Sequence, residues 1–104
     1  MKLYKQLTQI NDTLTFMTKE WHLLLNRAVI SKNYSRLSGY RVDIARFLER
    51  SRTTVGNMRV YPESAAIIDS EMIFLGNQTA MVSEVYYKFD SYNELTPRET
   101  VEAN

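Results

Sequence analysis

Residues 3–28 read LYKQLTQINDTLTFMTKEWHLLLNRA, and the spacing of their apolar side chains decides the fold. Leu3, Leu7, Ile10, Leu14, Met17, Trp21, Leu24 and Ala28 recur at alternating intervals of four and three. Side chains so spaced share one stripe of an α-helix, because a turn takes 3.6 residues. No Gly or Pro interrupts the run, which predicts one amphipathic heptad helix over 2–31. Towards its end Leu23, Leu25, Val29 and Ile30 widen the apolar arc, so that end is expected to be covered on more than one side. A helix of roughly 40–45 Å exceeds the diameter of a globule of this chain length. It therefore projects from the globule, or pairs with a second chain through Leu3, Leu7, Ile10, Leu14, Met17, Trp21 and Leu24, or packs inside a bundle of its own chain. A homo-oligomer built on this seam is the expectation.

Working outward, the polar stretch 31–39 reads as a connection. A second helix is expected over 40–60, with Tyr40, Ile44, Phe47, Leu48, Val55 and Met58 on one face. Tyr61-Pro62 ends it, because a residue before proline disfavours the helical region. A third helix is expected over 62–75, with Ala65, Ile68, Met72 and Leu75 inward and Gly76 as its stop. Asn77 then suits the cap of a fourth, over 78–91, carrying Met81, Val82, Val85, Tyr86 and Phe89. Val85 to Phe89 would equally suit a strand, but one strand alone has no sheet partner. Residues 93–104 form a tail in which Thr96-Pro97-Arg98-Glu99 has the spacing of a capping box. The expected fold is mostly α: a single domain, 1–104, forming a small bundle of about four helices.

Composition supports this. Three Gly and two Pro in 104 residues leave little room for the many turns of an all-β fold. The absence of Cys excludes disulfides, thiolate metal sites and cysteine nucleophiles. Polar residues interrupt every apolar run, so neither a leader peptide nor a span of roughly 18–20 apolar residues is expected. A cytoplasmic protein that does not enter the membrane fits these features.

Charge is unevenly placed. Residues 1–60 carry eleven Lys or Arg against four Asp or Glu, a balance of +7, and residues 61–104 carry two against eight, a balance of −6. Arg41, Arg52 and Arg59 fall within roughly 20° of one another on a helical projection, and Arg46 and Arg50 line the other flank. With Arg36 close by, this basic stretch suits the backbone of duplex DNA. Neutralisation by Asp69, Glu71 and Glu84 of the acidic half is the alternative.

In a twenty-residue unit starting at Arg41, Ile44, Ala45, Leu48, Val55 and Met58 take the fourth, fifth, eighth, fifteenth and eighteenth positions. This pattern resembles the helix-turn-helix DNA-binding unit, in which a small fifth residue lets two helices approach over a shared apolar core. The resemblance covers residues 41–60 only. It implies that Ser51, Arg52, Thr53 and Thr54 open a recognition helix, the hydroxyls meeting phosphates and Arg52 a base edge. Glu49 stands where that family usually has Gly, and Arg50 where it has an apolar residue. Without a turn there, the same residues form one helix from Gly39 to about Met58.

Chemistry-bearing motifs are few. His22 is the only histidine and sits in an apolar stretch without a second ligand at metal-binding spacing. The three glycines are isolated, so there is no phosphate loop. Asp69 and Glu71, two apart, lie on different helix faces. Neither an enzyme nor a metal or cofactor is expected. The sequence suggests a small DNA-binding regulatory or accessory protein that oligomerises through its first helix; the alternative is a helical protein–protein interaction module, such as an adaptor, assembly factor or inhibitor, possibly phage-encoded.

Overall fold

The computed structural model describes residues 2–58, 61–92 and 100, and no strand occurs among them. Three α-helices follow one another: α1 Lys2–Ser31, α2 Ser35–Gly56 and α3 Ala65–Glu84. A short 3-10 helix, Tyr86–Ser91, closes the series. No helix among the described residues is long and apolar enough to cross a membrane.

α1 ends where Lys32 takes a left-handed backbone conformation, φ 58°. Asn33 then accepts a hydrogen bond through Oδ1 from the Ser35 amide at 3.1 Å, which starts α2. The polar connection expected over 31–39 therefore shrinks to three residues, and α2 begins at Ser35 rather than at 40. So short a link forces α2 to run antiparallel to α1. α3 returns parallel to α1, as shown by Tyr4 and Leu7 lying near Ala66 and Ile67.

α2 lies in the middle and packs against both neighbours, whereas α1 and α3 barely meet. Its inward residues Leu37, Ile44, Leu48 and Val55 are at most 1% exposed. They meet Leu7, Leu14, Trp21 and Ala28 of α1 and Ile68, Leu75 and Val82 of α3 in one core. Burying each such aliphatic side chain contributes about 1.5–3 kcal/mol, which outweighs the modest helix propensity of a single residue.

The seam of α1 is this chain's own core. Leu7, Leu14, Trp21 and Ala28 are buried, and Leu3, Ile10, Met17 and Leu24 pack partly buried against them. This corrects the expectation that the seam serves a second copy: α2 already covers it. Nor does α1 project from a globule, since the whole molecule is a rod of 54 × 19 × 17 Å.

Two further expectations are corrected. The helices expected over 62–75 and 78–91 are replaced by the single helix α3, so the described residues form three α-helices rather than about four. Gly76 does not stop α3, because it lies in negative-φ backbone and the inward series Ile68, Leu75, Val82 continues across it. Packing on α2 overrides a propensity cost of about 1 kcal/mol. The start also moves: Pro62–Ser64 form a turn in which the Ser64 and Ala65 amides donate to the Tyr61 carbonyl at 2.9 and 3.0 Å. Residues 86–91 form the 3-10 helix, neither the end of a fourth helix nor a strand.

α2 runs unbroken through Glu49 and Arg50 to Gly56. The turn that a helix-turn-helix unit requires is missing, because Ile44, Leu48, Ser51 and Val55 form one continuous buried stripe. The tail 93–104 lies outside the described residues, Thr100 excepted.

Candidate functional site

The arginines singled out above do not act as one group. Arg41 donates through Nε to Asp90 Oδ2 at 2.9 Å, and its Nη2 lies 2.8 Å from the same oxygen. Its guanidinium also sits 5.3 Å from the centre of the Tyr87 ring. Both partners of the pair are under one-fifth exposed, so Arg41 ties α2 to the 3-10 helix. Asp90, rather than Asp69, Glu71 or Glu84, supplies the carboxylate. Arg36, Arg46, Arg50 and Arg52 are exposed and make no ion pair among the described residues. Arg59 lies outside the described residues.

On a continuous helix Arg46 and Arg50 lie roughly 120–180° around from Arg41 and Arg52. Arg46 and Arg50 border a depression of about 700 Å³ against Thr13 and Met17, and Asp43 and Glu49 border it too. Two cations there face two anions. Ser51 is buried and points into the core. The Thr53 and Thr54 hydroxyls donate to the Glu49 and Arg50 carbonyls at 3.1 and 2.9 Å. Hydroxyls bonded to their own helix are less available to a phosphate.

A second feature was not read from the sequence. Because α1 and α3 both lean on α2 and hardly on each other, a groove of about 570 Å³ opens between them. Tyr4 and Leu7 of α1 line one wall, and Ile67 and Phe74 of α3 the other. The α3 wall has a sequence origin. Ile67, Phe74 and Met81 each precede an inward residue, Ile68, Leu75 or Val82. They form a second apolar stripe about 100° round the helix. α2 covers the first stripe, and nothing among the described residues fully covers the second: Phe74 is 39% exposed and Met81 43%. Tyr4, across the groove, is 52% exposed.

Asn11 and Glu71 also line this groove. Glu71 is only 6% exposed; its Oε2 is enclosed without a hydrogen-bond partner, and the residue makes no ion pair among the described residues. Asn11 Oδ1 is likewise enclosed and without a partner. Among the described residues no basic side chain lines the groove. The sequence held a signal for Glu71, which stands three residues after Ile68 and four before Leu75, a polar residue on the inward stripe.

The opposite end of the bundle holds aromatic rings. Trp21 stacks on Tyr86 and meets Phe89 edge-on, with centroids 5.3 Å apart. Burial raises the pKa of Tyr86 above its ordinary 10.0. Tyr40 is raised by burial first and then by the charges of Glu20 and Asp43. His22 places Nδ1 2.7 Å from the Thr18 carbonyl, a contact within its own helix. Among the described residues no three His, Asp or Glu side chains cluster as metal ligands would.

Comparison with family models, with curated proteins and with solved structures yields no match to this chain.

Proposed function

We propose that this chain is a helical protein–protein interaction module that grips a helix of its partner in the groove between α1 and α3. The open apolar groove carries this reading. Its rims are exposed aromatic and aliphatic side chains, and an exposed apolar cleft beside two parallel helices is the shape into which an amphipathic helix docks. A docked helix would complete a fourth position around the bundle and cover Tyr4 and Phe74 together. No catalytic step is assigned to the chain.

The test uses a fluorescent synthetic peptide with leucines at heptad spacing and one central lysine. Anisotropy should report saturable binding to the wild-type chain. Phe74→Asp should weaken it at least tenfold with the helical circular dichroism unchanged, since Phe74 is not a core residue. Absence of binding, or binding indifferent to Phe74→Asp, would refute the groove as a docking surface.

Nucleic-acid binding is the second reading, favoured by the exposed and unpaired Arg36, Arg46, Arg50 and Arg52. Asp43 and Glu49 beside Arg46 and Arg50 weigh against it, since they reduce the local potential that would attract a phosphate backbone. Duplex DNA at low salt decides. Binding that falls steeply with salt and is abolished by Arg46→Glu with Arg50→Glu would favour this role over the groove.

A further inference from the structure

We propose that the groove's partner is a second copy of this chain, which inserts the outer face of its α1 so that Lys19 reaches Glu71. This rests on the groove reading above and names the occupant.

Two observations call for each other. The first is the pair of acceptors without a donor. An ionised carboxylate and an amide oxygen can only accept hydrogen bonds, so what Glu71 and Asn11 lack is an N–H donor, and the carboxylate favours a cationic one. One carboxylate and one amide oxygen are too few to cage a metal ion. An ammonium group on a long apolar stem fits better. Its stem can lie along Leu7 and Ile67 while its head reaches the enclosed oxygens.

The second observation lies on the far side of α1 from its buried seam. Phe16, Leu23 and Ile30 repeat every seven residues and are 62%, 49% and 84% exposed. Large apolar side chains at that spacing make a stripe, and nothing among the described residues covers it. Lys19 lies on the same side, three residues after Phe16 and four before Leu23, exposed and without an ion pair among the described residues. The stripe is thus apolar, cationic, apolar over two turns of helix. The groove is apolar, anionic, apolar over a matching length, from Tyr4 to Asn11 on α1 and from Ala66 to Phe74 on α3. Phe16 and Leu23 would lie against the apolar walls on either side of the Lys19–Glu71 pair.

Groove and stripe are different surfaces of one molecule, so either side of the contact can be removed without the other. That asymmetry gives a direct test. Phe16→Asp removes the stripe and keeps the groove; Phe74→Asp removes the groove and keeps the stripe. Sedimentation equilibrium of the full chain should show a mass rising above 12.2 kDa with concentration through the micromolar range. Each variant alone should stay at the mass of one chain, and an equimolar mixture should form a species of two. Lys19→Met and Glu71→Gln should each weaken association about tenfold, and together little more than either alone. A wild-type chain that stays at one-chain mass throughout, or a mixture that does not pair, overturns the proposal. Association unmoved by Lys19→Met and Glu71→Gln overturns it as well. If the leucine–lysine peptide still binds in a Phe74-dependent way under those outcomes, the groove reading stands and only the second copy falls.

Discussion

The indole of Trp21 and the phenol ring of Tyr86 lie face to face, 3.8 Å between centroids and 4° from parallel. This stack joins the middle of α1 to the segment that follows α3, and it closes the end of the bundle remote from the groove. Both residues are nearly fully buried. Replacing Tyr86 by Ala deletes a buried ring and should cost about 3–4 kcal/mol. Tyr86→Phe keeps the ring and should stay within about 0.5 kcal/mol at neutral pH. Urea unfolding followed by circular dichroism measures both. Emission from Trp21, the only tryptophan, should report the loss of the stack.

The same burial predicts an alkaline transition. Folding holds the Tyr86 phenol neutral and raises its pKa above 10.0, and Tyr40 is raised likewise. A raised folded pKa contributes stability that is complete below the unfolded value and is lost as pH rises through the folded one. Stability should therefore be flat up to about pH 10 on this account and then decline. Tyr86→Phe should decline less steeply, as urea midpoints taken across that range would show.

Gly76 offers a test of the unbroken α3. It is helical, and a Cβ built there meets nothing within 4 Å. Gly76→Ala should stabilise the chain by up to about 1 kcal/mol, because alanine has less backbone freedom to lose on folding. A helix that ended at Gly76 in a left-handed cap would instead be destabilised by the added methyl group. The thermal midpoint separates the two.

Much of this architecture was legible in the sequence. The spacing from Leu3 to Ala28 gave α1 its bounds, because a long run without Gly or Pro leaves only one way to bury its seam. What covers that seam was not legible: α2 of the same chain and a second copy would present the same kind of apolar face. Gly76 misled because local propensity was weighed without the packing of Leu75 and Val82 that overrides it. The Arg41–Asp90 pair joins residues far apart in sequence, so no periodicity could reveal it. In the sequence Glu71 is visible only as one acidic residue of the second half, a candidate partner for the arginines. Its place between Ile68 and Leu75 is what puts it inside, and the gap between α1 and α3 is what leaves it without a partner.

That unpaired carboxylate should lower stability. Its Oε2 is enclosed with no donor among the described residues, which is unfavourable, and an apolar replacement removes the cost. Glu71→Leu should raise stability by about 1–2 kcal/mol in urea unfolding, while weakening the association described above. An unchanged or lowered stability would mean that the carboxylate is better solvated than its 6% exposure implies.

The most direct measurement of the groove as a docking surface is an amide-resolved NMR titration of the isotopically labelled chain with the leucine–lysine peptide. Docking between α1 and α3 predicts shifts concentrated at Tyr4, Thr8, Asn11, Ile67, Ser70 and Phe74, which border the groove. Arg46 and Arg50, which border the separate depression between α1 and α2, should remain unmoved. Shifts confined to the depression around Arg46 and Arg50, or no shifts at saturating peptide, would contradict it.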